Sequence, residues 1–151
     1  AGDVIRLTRL LNKDYNINEI YGVAIKEMSP ILLHAASFDP TITRIALVEP
    51  YSSYRSIAMN RYYSPRFVHS LVPGAFPAYD LPDLASTLAP RKLMIAGITD
   101  GNNKKCNIES IHEDIDFLKK VYQNTNAGAQ LKIKPFDSLG RPDELYTEWL
   151  K

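Results

Sequence analysis

The chain has 151 residues, 45% of them hydrophobic and 23% charged, with a formal net charge of +1. That length suits one domain around a single core, and the composition excludes disordered and membrane-embedded classes. The near-neutral balance, with no basic stripe interleaved with aromatics, argues against a nucleic-acid partner, and the single cysteine excludes an internal disulfide or a cysteine-rich metal site.

In chain order, Val4, Leu7, Leu10 and Leu11 recur at helical spacing behind Asp3 as a possible cap, and Asn12 to Asn18 reads as a polar turn. The opening Ala1-Gly2-Asp3 leads directly into a helical pattern, so no signal peptide is expected in this stretch, and no long apolar span follows. With no initiating methionine, a processed or excised segment of a longer parent is expected.

Ile20 to Ile25 is a short apolar run with the pattern of a strand buried on both faces. From Pro30 the composition is helical, with Ser29 placed as the cap and Pro30 at the first helical position, where its missing N–H costs nothing. Only Lys26, Glu27 and Met28 separate strand from helix. So abrupt a turn puts its residues at the carboxyl edge of a sheet, where α/β proteins place their chemistry.

Phe38-Asp39-Pro40 ends this helix, and Arg44 to Val48 is a second buried strand, stopped at Glu49-Pro50. Between residues 50 and 90 fall six of the ten prolines and five of the nine tyrosines, which predicts an ordered, cap-like excursion with short helices, one of them Leu84 to Leu88. Lys92 to Ile98 is a third strand, followed at once by Thr99-Asp100-Gly101. Ile108, Ile111, Ile115, Leu118 and Tyr122 define the longest helix, Ala129 to Phe136 a fourth strand, and Pro142 to Leu150 a closing helix with Leu145 and Trp149 on its inner face. Cys106, in a polar run, is expected to be a surface thiol. Strands separated by helices of this length imply a single α/β domain over residues 1–151, with a parallel sheet of about four strands and flanking helices.

Three stretches carry a resemblance. They are the strand–helix unit with Leu32-Leu33-His34-Ala35-Ala36 and Asp39, the run Tyr79-Asp80-Leu81-Pro82-Asp83-Leu84 continuing through Leu88-Ala89-Pro90-Arg91-Lys92-Leu93, and Ile98-Thr99-Asp100-Gly101. Together they make the chain resemble the C-terminal half of an α/β-hydrolase, near the acetyl-xylan-esterase-like, dienelactone-hydrolase-like and prolyl-oligopeptidase-group esterases. The resemblance implies a carboxylic ester hydrolase acting on acylated plant polysaccharide, periplasmic or secreted, whose earlier strands would precede Asp3.

The family's triad can be placed position by position. On the Gly-x-Ser-x-Gly elbow fall Ile25-Lys26-Glu27-Met28-Ser29, so both glycines are missing and Glu27 stands where the serine should be. Glu27 could attack as a carboxylate nucleophile or could simply favour the helix dipole; Ser29 is the nearer hydroxyl but is placed to cap. Asp100 matches the acid, and Asp-Gly-Asn is also ordinary turn chemistry. Arg141 occupies the histidine's place, and a guanidinium cannot accept a proton there. Glu49 is a spare acid at a strand end. His34 is expected to be partly buried with a backbone partner and His112 to lie on a helix face; neither these nor His69 shows metal-ligand spacing, so no metal or cofactor is expected.

Tyr51, Tyr54 and Tyr79 in the excursion are candidate sugar contacts or self-packing residues. Two readings follow: a degenerate segment, not catalytic alone, kept for packing, assembly or glycan contact, or an active carboxylesterase with an atypical triad. Partners would be acylated polysaccharide or the rest of the parent hydrolase, and an open half-sheet edge would favour a homodimer.

Overall fold

A computed structural model describes residues 1–106, 108–135, 147, 149 and 150. Four parallel strands, β1 (Ile20–Ile25), β2 (Ile42–Val48), β3 (Lys92–Ala96) and β4 (Leu131–Lys134), lie side by side in sequence order. The helices are α1 (Gly2–Tyr15), α2 (Ser29–Phe38), α3 (Tyr54–Ala58), α4 (Leu81–Ser86) and α5 (His112–Asn124). This is the expected α/β architecture, with a 3₁₀ turn over Pro65–Ser70 completing the excursion.

The alternation of side chains along β2 and β3 sorts the two faces of the sheet. Ile45 and Leu47 lie in register with Leu93 and Ile95, and all four belong to the main core under the helices. Ala46, Met94 and Ala96 point the other way and, with Trp149, form a second buried cluster. The small side chains of Ala46 and Ala96 leave room on this face for an indole.

Helices α1, α2, α4 and α5 contact one another in that order. Seven of the ten residues of α2 are buried, the all-round burial expected of a helix flanked by helices on both sides. It lies close to β1: a Cβ on Gly22 would come within 2.6 Å of Leu32 Cδ1. Ile111, Ile115, Leu118 and Tyr122 are all buried, which makes them the inner face of the long helical segment.

Several expectations are corrected. Helix α1 runs on to Tyr15 and stops where Asn16 takes a left-handed φ of 55°, so the polar turn is shorter than the asparagines suggest. Its buried residue is Thr8, whereas Leu7 and Leu10 are exposed. Strand β1 is not buried on both faces. Tyr21, Val23 and Ile25 are exposed, because β1 is an edge strand and only its Gly22 and Ala24 side turns toward α2. The predicted helix Leu84–Leu88 begins earlier, at Leu81, because Asp80 supplies the cap. Leu145 and Phe136 lie outside the described residues; Trp149 is buried.

Candidate functional site

The carboxyl ends of β1, β2 and β3 converge on one edge of the sheet. At the end of β1 the chain turns through Lys26–Met28 into α2, and the residue that takes the left-handed backbone is Lys26, with φ 52°. That conformation is uncommon for a side chain longer than asparagine, and it is the feature that makes a nucleophile elbow sharp. The strained position is thus held by Lys26, one residue before Glu27.

Glu49 does the same at the end of β2, with φ also 52°. Its N–H donates to Ala96 O at 2.7 Å, fixing it over β3, and its carboxylate meets Lys26 Nζ at 3.2 Å. Both side chains are about one-third exposed or less, 33% and 27%. Two strained strand ends therefore face each other through an ion pair.

Asp100 follows β3 on the same edge. Thr99, buried, ties the strand extension to the neighbouring segment, with its N–H on Pro50 O at 2.8 Å and its carbonyl accepting from Ser52 N at 2.9 Å. Asp100 Oδ1 accepts from the N–H groups of Asn102 and Lys104, each at 2.8 Å. This is an Asx turn, the arrangement that Asp-Gly-Asn favours. Gly101 is required for close packing: a Cβ there would sit 2.2 Å from the Ser56 carbonyl oxygen on α3.

Ser29 does not cap α2. Its backbone is already helical, at φ −60° and ψ −46°, with Met28 in the cap position. A helical residue cannot fold its hydroxyl back onto amides two or three residues ahead. Its Oγ is buried and has no hydrogen-bond partner among the described residues, and the residue belongs to the lining of a cavity under the sheet edge that also touches Tyr51 and Asp114. Sequence reasoning missed this cavity, whose walls come from three strands and three helices.

The tyrosines go inward. Tyr51 and Tyr54 are buried, and Tyr51 packs on Phe67 with ring centroids 4.5 Å apart. Tyr51 OH lies 3.0 Å from Ser70 Oγ and Tyr54 OH donates to Ser70 O at 3.4 Å; burial pushes the Tyr51 hydroxyl up to about 12. Tyr79, half-buried, bonds His34 Nε2 at 2.8 Å. Within the excursion the exposed rings are Tyr62, Tyr63 and Phe76.

The hydrogen bonds of His34 and His112 run to groups other than Asp100. His34 is buried in α2, its Nδ1 2.7 Å from Pro30 O, a carbonyl that can only accept, so Nδ1 carries the proton and Nε2 accepts from Tyr79 O–H. His112 Nδ1 donates to Glu109 O at 2.7 Å on an exposed helix start, and His69 is exposed. Arg141 lies outside the described residues. Among the described residues no group of three His, Cys, Asp or Glu could hold a metal, and no helix is long and apolar enough to cross a membrane. Cys106 is half-buried, with Sγ 3.2 Å from Ser110 Oγ.

The edge therefore brings Lys26, Glu49 and Asp100 to neighbouring strand ends, buries the Ser29 hydroxyl without a partner among the described residues, and leaves Tyr51, Tyr54 and Tyr79 as packing residues. No family model, no curated protein and no solved structure matches the chain.

Proposed function

We propose that the chain is a decayed α/β-hydrolase-like segment of a polysaccharide-acting hydrolase, similar to acetyl-xylan esterases, and that alone it does not turn over esters. One observation supports this reading: in the turn between β1 and α2, Lys26 takes the left-handed backbone and pairs with Glu49 at 3.2 Å, so that the bend Lys26-Glu27-Met28 carries no hydroxyl or thiol.

Acyl transfer on this scaffold needs a group that attacks and a second that takes the proton and returns it to the leaving alcohol. An ammonium held by a carboxylate has no lone pair to attack with. Asp100 would have to orient an imidazole, yet its hydrogen bonds run to its own turn, and His34 has both ring nitrogens engaged inside the helical layer. An arginine at position 141 stays charged and cannot shuttle a proton. What remains useful is the scaffold, retained for packing within the parent hydrolase or for contact with the glycan.

The test is p-nitrophenyl acetate hydrolysis by the purified chain, compared with Asp100→Ala and Lys26→Ala. No saturable turnover is expected in any of the three. Saturable turnover that Asp100→Ala abolishes would replace this reading with an active carboxylesterase using an atypical triad. Retardation of the chain in gels containing acetylated xylan, absent in gels without it, would support the polysaccharide assignment independently of catalysis.

A further inference from the structure

The excursion between β2 and α4 carries an unbalanced charge. Residues 50–79 include Arg55, Arg61 and Arg66 but no aspartate or glutamate, although the whole chain has a net charge of only +1. Arg55 is neutralised by Asp114 at 3.0 Å. Arg61 and Arg66 are exposed and have no ion-pair partner among the described residues.

Between these two arginines the rings of Tyr62 and Tyr63 are 70% and 45% exposed. Their backbone is pinned. Tyr62 N–H donates to Asn60 Oδ1 at 3.0 Å, Tyr63 N–H to Asn60 O at 3.3 Å and Ser64 N–H to Gly101 O at 2.8 Å. Phe67, buried against Tyr51, anchors the end of the segment in the core. The Arg61 guanidinium lies 5.6 Å from the centre of the Tyr62 ring, a cation–π contact that keeps ring and charge side by side. Such a surface suits a ligand with an apolar face for the ring and a carboxylate for the guanidinium, which can give two parallel N–H bonds.

A uronic acid has both, in the C–H face of its pyranose ring and in its carboxylate. A nucleic acid or an acidic peptide fits less well. Two guanidinium groups are too few to follow a densely charged backbone, and a molecule of net charge +1 gains little by attracting many negative charges at once. A mostly neutral polymer with widely spaced carboxylates needs only a small contact of this kind. We infer that residues 61–66 bind a glycan bearing uronic acids, with the Tyr62 ring stacking on the sugar and the guanidinium groups of Arg61 and Arg66 meeting its carboxylates. The inference rests on the polysaccharide reading above and gives that glycan a charge and the chain a surface for it.

The probes are a xylotriose carrying one glucuronic acid and plain xylotriose, each titrated into the whole chain and followed by backbone-amide NMR. Saturable shifts at Arg61, Tyr62 and Tyr63 in the millimolar range are expected with the acidic sugar, and binding about fivefold weaker or less with xylotriose. Arg61→Gln and Arg66→Gln should each weaken the acidic sugar by about two- to fivefold and leave xylotriose unchanged, whereas Tyr62→Ala should weaken both alike. These side chains are exposed, so the thermal midpoint of each variant should match that of the natural chain. Equal affinity for the two sugars, no saturable shift with either, or arginine variants that weaken both alike would each overturn the inference. So would a hexaglutamate peptide or a hexauridylate that binds as tightly as the acidic sugar. Turnover of p-nitrophenyl acetate speaks to catalysis and these titrations to the surface, so the two readings fail separately.

Discussion

Asp39 shows how one side chain can anchor three segments. It ends α2, accepts from Thr41 N at 3.0 Å and Thr41 Oγ1 at 2.6 Å, and takes a hydrogen bond from Thr8 on α1. Burial by itself would raise this carboxyl, but the bonds from Thr41 and Thr8 outweigh it and hold the group below its ordinary value. A carboxyl depressed by folding adds stability above its unfolded pKa and loses it as pH falls through the folded one. The stability gap between the natural chain and Asp39→Asn should therefore be constant above about pH 5 and shrink steadily below about pH 4. Urea melts of both at several pH values check this, and a gap that widens in acid would contradict it. Nearby, Arg91 Nη1 donates to the carbonyls of Asp39 and Ile42 at 3.2 and 2.9 Å. Two residues that carried the sequence resemblance thus clasp the amino ends of the strands, far from the strained edge at Lys26.

At the level of elements, Asp80 caps two helices at once. Oδ1 accepts from Leu81 N at the start of α4 and from Tyr54 N at the start of α3, each at 2.6 Å, and Oδ2 accepts from Arg55 N at 3.1 Å. Asp83 closes the reciprocal half of a capping box, its Oδ2 accepting from Asp80 N at 2.8 Å. Ser53 adds a second cap on α3, through Ser56 N at 3.0 Å. Helices of five and six residues cannot persist on propensity, so these caps hold the excursion in shape. Asp80→Ala is expected to cost about 2 kcal/mol, the upper end for a single cap because two helix starts lose their acceptor. Denaturant unfolding measures it, and a loss below about 0.5 kcal/mol would mean that water replaces the carboxylate at no cost. A capping box is visible in the sequence as Asp80 followed by Asp83; the reach of the same carboxylate back to residue 54 is not.

For the molecule as a whole, the helices described between the strands share one face of the sheet, and Trp149 covers part of the other. It packs on Ala46, Met94 and Ala96, and its ring meets Tyr21 edge-on with centroids 6.1 Å apart. Trp149 is the chain's only tryptophan, so its fluorescence reports this docking directly. Trp149→Ala should cost about 3–5 kcal/mol, since small neighbours on a sheet cannot close over the space left behind. Circular dichroism in urea measures the loss, and a change under about 1 kcal/mol would show that this face contributes little to stability. Across the same face β1 keeps Tyr21, Val23 and Ile25 exposed and has no partner strand on its outer side among the described residues.

Read alone, the amino acids determined the order of helices and strands and the parallel sheet, because the spacing of apolar residues is a local property that survives in any environment. They also pointed to the strand ends, with Glu27, Glu49 and Asp100 as the residues of interest and Lys26 only as a spacer between strand and helix. Tertiary structure alone decided which residue of the first turn carries the left-handed backbone, which face of β1 is bare, and that the Ser29 hydroxyl is buried rather than capping. Contacts between positions distant along the chain were likewise out of the sequence's reach: position 26 meets 49, position 8 meets 39, position 54 meets 80. A strand that will lie at an edge and one that will lie at the centre can be written with the same residues. Only the neighbours that arrive on folding distinguish them.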